Sequence, residues 1–168
     1  MQNIQTGFMR NTLAAVLVLL VTAATAGTTQ APAPDFTLKS YSGENIRLSE
    51  LRGEVVLINF WASWCGPCRQ EMPILSELHN KYKAMGFIVL GVNVEENSSE
   101  ARKLLKRMPV SFPVLFDNDS SVSKQYDVAA MPSTVLVDRG GNMRYLHKGY
   151  KPGLEDIYVE QVRNLIRE

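Results

Sequence analysis

The sequence has little of the chemistry that marks several large protein classes. Only two of its 168 residues are cysteine, which excludes a disulfide-rich scaffold. Its 11 glycines and 8 prolines are too few for a collagen-like or low-complexity chain. The formal net charge is only +1, which argues against a protein that binds nucleic acid through a strong basic field. With no repeat of fixed period, the length predicts one globular domain, with or without a tail.

A hydrophobic run long enough to be an ordinary membrane span is also missing. The apolar stretch near the start, residues 13–24, is shorter than the roughly 20 apolar residues that a spanning helix needs. It ends in Ala24-Thr25-Ala26, which fits the small-x-small pattern that a signal peptidase recognises. We therefore predict that residues 1–26 are a signal peptide, with an uncleaved membrane anchor as the alternative. The protein is expected to be periplasmic or otherwise extracytoplasmic, and to contact a membrane only if this segment is retained.

The remainder of the chain alternates strand and helix patterns. Residues 27–34 are predicted to be a linker and residues 35–168 the domain. A β-hairpin is predicted over residues 36–48, and nearly unbroken apolar runs at 55–60 and 87–94 predict strands buried on both faces. Further strands are predicted at 114–116, 133–138 and 142–147, and helices at 67–83, 97–108, 119–126 and 154–166, with Asn97 and Asp119 as N-caps. This order predicts an α/β sandwich with a mixed sheet.

The two cysteines lie in the segment Trp64-Cys65-Gly66-Pro67-Cys68, directly after a predicted buried strand and at the start of a predicted helix. Backbone N–H groups and the helix dipole at a helix N-terminus stabilise a thiolate over a thiol. We therefore assign Cys65 as the exposed attacking nucleophile. Cys68, one turn into the helix and less accessible, would resolve the mixed disulfide by attacking Cys65. Two intervening residues allow the two sulfur atoms to meet.

Two structural explanations of this cysteine pair are weaker. A structural zinc site needs four ligands, and the other candidates, His79 and His147, fall on different predicted elements. A disulfide that closes so short a loop restricts the unfolded chain little, so stabilisation is a poor reason for the pair. We therefore predict redox chemistry at Cys65 and Cys68, with no metal and no cofactor.

The segment Phe60–Cys68, with the sequence FWASWCGPC, resembles the active site of thioredoxin-fold proteins. Together with Arg69–Pro73 after it and Pro34–Phe36 before it, this segment resembles the exported TlpA/ResA-type thiol–disulfide oxidoreductases. The similarity extends from about Ala33 to the C-terminus, and residues 94–114 match an insertion that this family carries. The resemblance implies a thioredoxin-like three-layer sandwich: a central mixed β-sheet flanked by helices, with an N-terminal β-hairpin and a central helical insertion.

The same resemblance implies a substrate-binding surface around the cysteines. The pair Met131-Pro132 occupies the position of the family's cis-proline loop, where the Met131 backbone would pair with an extended substrate peptide. An ordinary trans-proline at the start of a strand is the alternative. The residues that the resemblance assigns to substrate binding are Trp64, Gly66, Pro67, Met131 and Pro132.

Glu71 resembles the acidic residue that members of this family place near the buried sulfur. A partly buried carboxylate with a raised pKa can exchange a proton with Cys68 during the redox cycle. Asn59 stands where cytosolic thioredoxins have a buried aspartate, which makes Glu71 its natural replacement. A solvated carboxylate on the helix surface is the alternative for Glu71.

The resemblance implies an exported enzyme that reduces disulfides in envelope proteins, apocytochrome c among them, and that receives electrons from a membrane thiol protein. A disulfide donor and a thiol peroxidase are alternatives on the same fold, since Pro34-Asp35-Phe36 is shared with peroxiredoxins. A peroxidase needs a lone peroxidatic cysteine after a threonine-containing loop, which this sequence lacks. A peptide-binding or chaperone module, in which the cysteines are incidental, is the alternative from a different class.

Overall fold

The computed structural model describes residues 31–168, which form one mixed β-sheet with helices on both faces. Short 3-10 helices lie at Leu48–Leu51 and Lys83–Met85. The strands are β1 (Thr37–Ser40), β2 (Asn45–Arg47), β3 (Val55–Trp61), β4 (Phe87–Asn93), β5 (Val114–Phe116), β6 (Ser133–Val137) and β7 (Met143–Lys148). The helices are α1 (Gly66–Tyr82), α2 (Ser99–Arg107), α3 (Ser121–Gln125) and α4 (Leu154–Arg167).

The strand order across the sheet is β2-β1-β5-β4-β3-β6-β7. Strands β3, β4 and β5 run parallel to one another, whereas β6 pairs antiparallel with β3 and β1 pairs antiparallel with β5. The hairpin of β1 and β2 therefore extends one edge, and β7 forms the other. The predicted α/β fold with a mixed sheet and an N-terminal hairpin is confirmed, and α2 lies in the predicted insertion.

Strand β3 lies in the interior of the sheet, between β4 and β6, and all seven of its residues are buried. Because side chains alternate along a strand, its residues divide between two cores. Leu57 and Trp61 join the core under α1, α2 and α4, whereas Ile58 and Phe60 join the core under α3. Asn59 falls on the same face as Leu57 and Trp61, which directs the one polar side chain of β3 towards α1.

The N-cap of helix α2 lies one residue later than predicted. Its N-cap is Ser98, and Asn97 instead accepts a hydrogen bond from the backbone N–H of Ser99 over 3.0 Å. Glu100, the residue expected to complete a capping box, pairs with Lys103 at 2.7 Å. The prediction of Asn97 as N-cap was therefore wrong, because its side chain forms an Asx turn ahead of the helix.

The prediction of Asp119 as the cap of α3 was also wrong. Asp119 accepts from the N–H of Ser121 over 3.0 Å, again as an Asx turn. The carboxylate of Asp117, which is fully buried, accepts from the N–H groups of Val122 and Ser123 at 3.1 and 2.8 Å. A carboxylate two residues earlier in the sequence thus satisfies the free donors of the first turn.

The last residues of the predicted linker lie against the sheet. Ala33 is buried and donates its N–H to the carbonyl of Gly141 over 3.0 Å, and Pro32 forms an isolated bridge with Asn142. The predicted signal peptide, residues 1–26, and the rest of the linker lie outside the described residues. Within residues 31–168, no helix has the length and apolar character needed to cross a bilayer.

Candidate active site

Cys65 and Cys68 are joined by a disulfide that follows β3 at the start of α1. Cys65 is the N-cap of α1, and its Sγ accepts a hydrogen bond from the backbone N–H of Cys68 over 3.1 Å. Pro67 lies in the first turn of α1. Its missing backbone N–H costs the helix no hydrogen bond, because the N–H groups of the first turn have no partner within the helix. The helix N-terminus therefore supplies a backbone donor to the Cys65 sulfur.

The two sulfur-bearing residues differ only slightly in exposure. Cys65 is 4% exposed and Cys68 is fully buried. Cys65 is therefore less accessible than the sequence analysis expected, because its sulfur is turned towards Cys68 in the disulfide. Trp64 and Pro67 are exposed beside it, and Gly66 is half-buried. The solvent-facing rim of the disulfide thus consists of the residues assigned to substrate binding in the Cys65–Cys68 loop.

The peptide bond between Met131 and Pro132 is cis, so the trans alternative is excluded. Met131 packs against the apolar cluster that contains Cys65 and Cys68. Pro132 is buried, and its carbonyl accepts from the N–H of Gly149 over 2.7 Å. The loop therefore lies against the cysteine cluster and leaves Met131 half-buried at its surface.

Glu71 is fully buried, which excludes the solvated alternative. Its Oε1 accepts from the Tyr158 hydroxyl over 2.7 Å and from the Thr134 hydroxyl over 3.3 Å. Its Oε2 accepts from Asn59 Nδ2 over 2.8 Å. Burial raises the pKa of the Glu71 carboxyl above its ordinary value, while the hydrogen bonds from Tyr158, Asn59 and Thr134 act in the opposite direction.

Asn59 connects two of the groups around this carboxyl. Its Nδ2 also donates to Thr134 Oγ1 over 2.9 Å. Its Oδ1 is buried and finds no hydrogen-bond partner in residues 31–168. The Asn59 amide therefore acts in this site as a hydrogen-bond donor, through Nδ2.

The sequence analysis missed Thr134 and Tyr158 as parts of this site. Tyr158 falls in the predicted helix at 154–166 and Thr134 in the predicted strand at 133–138, and neither was assigned to the site. Both lie far from Glu71 in sequence: Tyr158 is 87 residues away and Thr134 is 63 residues away. The signal available in the sequence was a hydroxyl on an otherwise apolar buried face, which demands a hydrogen-bond partner but does not identify it.

A second carboxylate holds the loop that precedes the cysteines. Glu95, just beyond β4, accepts from both the N–H and the hydroxyl of Ser63 at 2.8 Å, and from Asn93 Nδ2 at 2.8 Å. Arg69, one residue after Cys68, donates to the Ser63 carbonyl over 2.7 Å. Ser63 is therefore fixed from both sides, two residues ahead of Cys65.

The histidines considered for zinc lie on different elements. His79, on α1, accepts from the N–H of Val89 over 3.3 Å, and His147, on β7, contacts Gln161 at 2.8 Å. Between residues 31 and 168, no group of three or more His, Cys, Asp or Glu side chains is arranged to hold a metal ion. The chemistry that this site offers is thiol–disulfide exchange, with the buried carboxyl of Glu71 on the helix that carries Cys68.

Comparisons with known proteins support that chemistry. A model of the AhpC/TSA family matches residues 29–146. Thiol-disulfide oxidoreductase ResA of Geobacillus kaustophilus is 39% identical over 117 residues, which are 70% of this chain and 67% of the relative. ResA of Bacillus subtilis is 33% identical over 135 residues, which are 80% of this chain and 74% of the relative. A crystal structure of a thiol:disulfide interchange protein DsbE from Chlorobium tepidum is similar with a TM-score of 0.79 and 38% identity, over 82% of this chain and 96% of that chain.

Proposed function

Since this chain belongs to the AhpC/TSA family and, within it, to the ResA-type thiol–disulfide oxidoreductases, we propose that it is exported and reduces disulfides in envelope proteins. The observation that carries the proposal is the Cys65–Cys68 disulfide at the N-terminus of α1, with the buried Glu71 carboxyl on the same helix. The catalytic residues are Cys65 and Cys68, together with Glu71, which accepts the proton of Cys68.

In the reduced enzyme, the Cys65 thiolate attacks one sulfur of the substrate disulfide. A mixed disulfide forms, and the other substrate sulfur leaves as a thiolate. Cys68 then gives up its proton and attacks Cys65 Sγ, which forms the enzyme disulfide and releases the second substrate thiolate. Two electrons pass from the enzyme to the substrate, and both substrate thiolates take up protons.

Glu71 accepts the Cys68 proton in the second step. A carboxyl whose pKa is raised by burial holds and releases a proton closer to neutral pH than a solvated one. Cys68 is fully buried, so water cannot readily remove its proton. A proton acceptor three residues along the same helix supplies that missing function.

The substrate lies along the rim formed by Trp64, Gly66 and Pro67 and by the cis-proline loop. The half-buried Met131 presents its backbone beside the cysteine cluster, where an extended peptide can pair with it. A segment that carries its own Cys-x-x-Cys disulfide, as in apocytochrome c, is short enough to lie along this rim. Such a segment is the substrate that we propose.

Electrons reach the enzyme from a separate thiol protein of the membrane. The chain contains two cysteines, and both belong to the active site, so it has no internal thiol that regenerates the reduced form. The Gly66-Pro67 pair between the cysteines resembles that of reducing thioredoxins. The electron flow that we propose therefore runs from the membrane donor through Cys65 and Cys68 to the envelope substrate.

The experiment presents the reduced protein with an oxidised peptide that contains a Cys-x-x-Cys-His segment and follows release of its thiols. We expect stoichiometric reduction by the wild type and a trapped mixed disulfide with Cys68→Ser. Cys65→Ser should do neither. Peptide reduction that survives in Cys65→Ser would overturn the proposal. Binding without reduction would favour a peptide-binding module, and turnover of peroxide instead of peptide would favour a peroxidase.

A further inference from the structure

Helix α4 contributes one hydroxyl to the buried carboxyl of Glu71. Tyr158 and Glu71 are both fully buried, and the Tyr158 hydroxyl donates to Glu71 Oε1 over 2.7 Å. The two residues come from different helices that pack on the same face of the sheet. The contact therefore depends on the tertiary position of α4 and not on local structure in α1.

The two carboxylate oxygens of Glu71 are held by different partners. Oε2 has Asn59 Nδ2 at 2.8 Å, whereas Oε1 has Tyr158 at 2.7 Å and Thr134 at the longer distance of 3.3 Å. Without the Tyr158 hydroxyl, Oε1 would keep only the long contact to Thr134. Tyr158 is thus the principal donor to this oxygen.

We propose that Tyr158 is a positioning residue, whose hydroxyl fixes the Glu71 carboxylate and makes this carboxyl a weaker base than its burial alone would produce. The inference rests on the proposed function for its consequence, which is control over proton exchange with Cys68. In this role Tyr158 acts through Glu71 and takes no part in electron transfer.

The direction of the effect follows from the strength of the hydrogen bond in the two protonation states. A hydroxyl donates more strongly to a carboxylate than to a neutral carboxylic acid, so it stabilises the ionised form. Burial and the neighbouring Glu71 raise the pKa of Tyr158, so it stays protonated and remains a donor. Removal of this hydroxyl should therefore make Glu71 bind its proton more tightly.

Other polar groups approach this pair from the surrounding elements and must be controlled. The His147 ring packs edge-on against Tyr158 with centroids 5.1 Å apart. Burial and Glu155 raise the pKa of Tyr150, and Glu71 adds a smaller contribution in the same direction. Cys68 shares the buried cluster with Tyr158. The other groups around the pair are Asn59 on β3, Thr134 on β6, His147 on β7 and Tyr150 in the loop before α4.

The test is a carboxyl titration of the oxidised full-length protein by NMR with ¹³C-labelled glutamate side chains. In the disulfide form neither cysteine titrates, so the midpoint belongs to Glu71, and the signal is identified by its loss in Glu71→Gln. We expect Tyr158→Phe to raise the midpoint by about one pH unit or more. Tyr82→Phe, which alters a buried tyrosine that packs on Phe87, should leave it unchanged. His147→Gln controls for the neighbouring ring.

An unchanged midpoint in folded Tyr158→Phe would overturn the proposal. If that variant does not fold, 3-fluorotyrosine at position 158 keeps the ring and makes the hydroxyl a stronger donor. The midpoint should then fall, and an unchanged midpoint would again overturn the proposal.

The pH profile of peptide reduction separates this proposal from the function on which it rests. A profile that moves upward with the Glu71 midpoint supports both. If the midpoint moves in the oxidised protein and the rate profile does not, Tyr158 positions Glu71 as proposed, but Glu71 does not exchange the Cys68 proton. If the midpoint stays and Glu71→Gln still changes the rate profile, the proposed function stands and the role of Tyr158 is overturned.

Discussion

The side-chain amide of Asn59 on β3 donates a hydrogen bond to the buried carboxyl of Glu71 on α1 over 2.8 Å. One titratable group and one neutral group thus meet between β3 and α1. The neutral amide stabilises the carboxylate without adding a second buried charge, which would be costly in this apolar surrounding. The buried carboxyl of Glu71 is therefore held by neutral donors, from Asn59, Thr134 and Tyr158.

The burial of Glu71 predicts a pH-dependent stability of the oxidised protein. The pKa of Glu71 is raised from an ordinary value of 4.5, so the folded state holds this proton more tightly than the unfolded state. The stability that the proton contributes is complete below about pH 4.5 and is lost as the pH rises through the folded value. Relative to Glu71→Gln, the wild type should therefore lose stability over that window.

Urea unfolding of both oxidised proteins at a series of pH values measures this difference. Because the Gln variant lacks the titrating group, other carboxyls cancel in the comparison. A wild-type-minus-variant difference that stays constant from pH 4 to pH 8 would contradict the raised pKa.

Asn59→Asp should strongly destabilise the oxidised protein at neutral pH. The variant places a second carboxyl within hydrogen-bond distance of Glu71, and two such groups cannot both ionise in a buried site. We expect a loss of more than about 2 kcal/mol at pH 7, which shrinks at low pH. Asn80→Asp, on the exposed side of α1, is the matched control and should change stability little.

Urea unfolding at pH 5 and pH 7 checks this expectation. Equal losses at the two pH values would point to a packing defect and would argue against a coupled pair of carboxyls.

Glu95→Ala should loosen the loop ahead of Cys65. Glu95 accepts two hydrogen bonds from Ser63 and one from Asn93. Its removal takes this acceptor from both Ser63 donors and leaves Asn93 Nδ2 with the longer contact to the Trp61 carbonyl, at 3.4 Å. A cost of about 1–3 kcal/mol is expected, together with faster amide hydrogen exchange at Ser63. Glu96→Ala is the control, because the Glu96 side chain takes no part in these hydrogen bonds. The backbone carbonyl at position 96, which accepts from Asn118 Nδ2, is kept in this variant.

Hydrogen exchange followed by NMR reads the Ser63 amide directly. If exchange at Ser63 is equally fast in both variants, Glu95 does not hold this loop.

The elements of this fold were predictable wherever burial alone sets the residue pattern of an element. The seven buried residues of β3 and the apolar run of β4 marked central strands, because both faces of each strand are covered. The cysteine pair was equally visible, since its spacing and its place at a helix start are local properties. Asn97 and Asp119 misled the prediction of helix starts because the same side chains form Asx turns just ahead of a helix.

Only part of the site around the Glu71 carboxyl could be predicted from the sequence. Glu71 lies among polar neighbours on α1, and its burial depends on the position of α4, which packs over the same core. Its partners Thr134 and Tyr158 lie on a strand and a helix far along the chain. No spacing in the sequence therefore indicates that they contact Glu71. Long-range contacts of this kind depend on tertiary packing.

The reduction potential of the Cys65–Cys68 pair tests the central claim most directly. The full-length protein is equilibrated in thiol–disulfide buffers of known potential, and the fraction of free Cys65 is measured by alkylation. A reductant of envelope disulfides should give a value near that of thioredoxin, about −270 mV. A value near about −120 mV would mark a disulfide donor and would contradict the direction of electron flow that we propose.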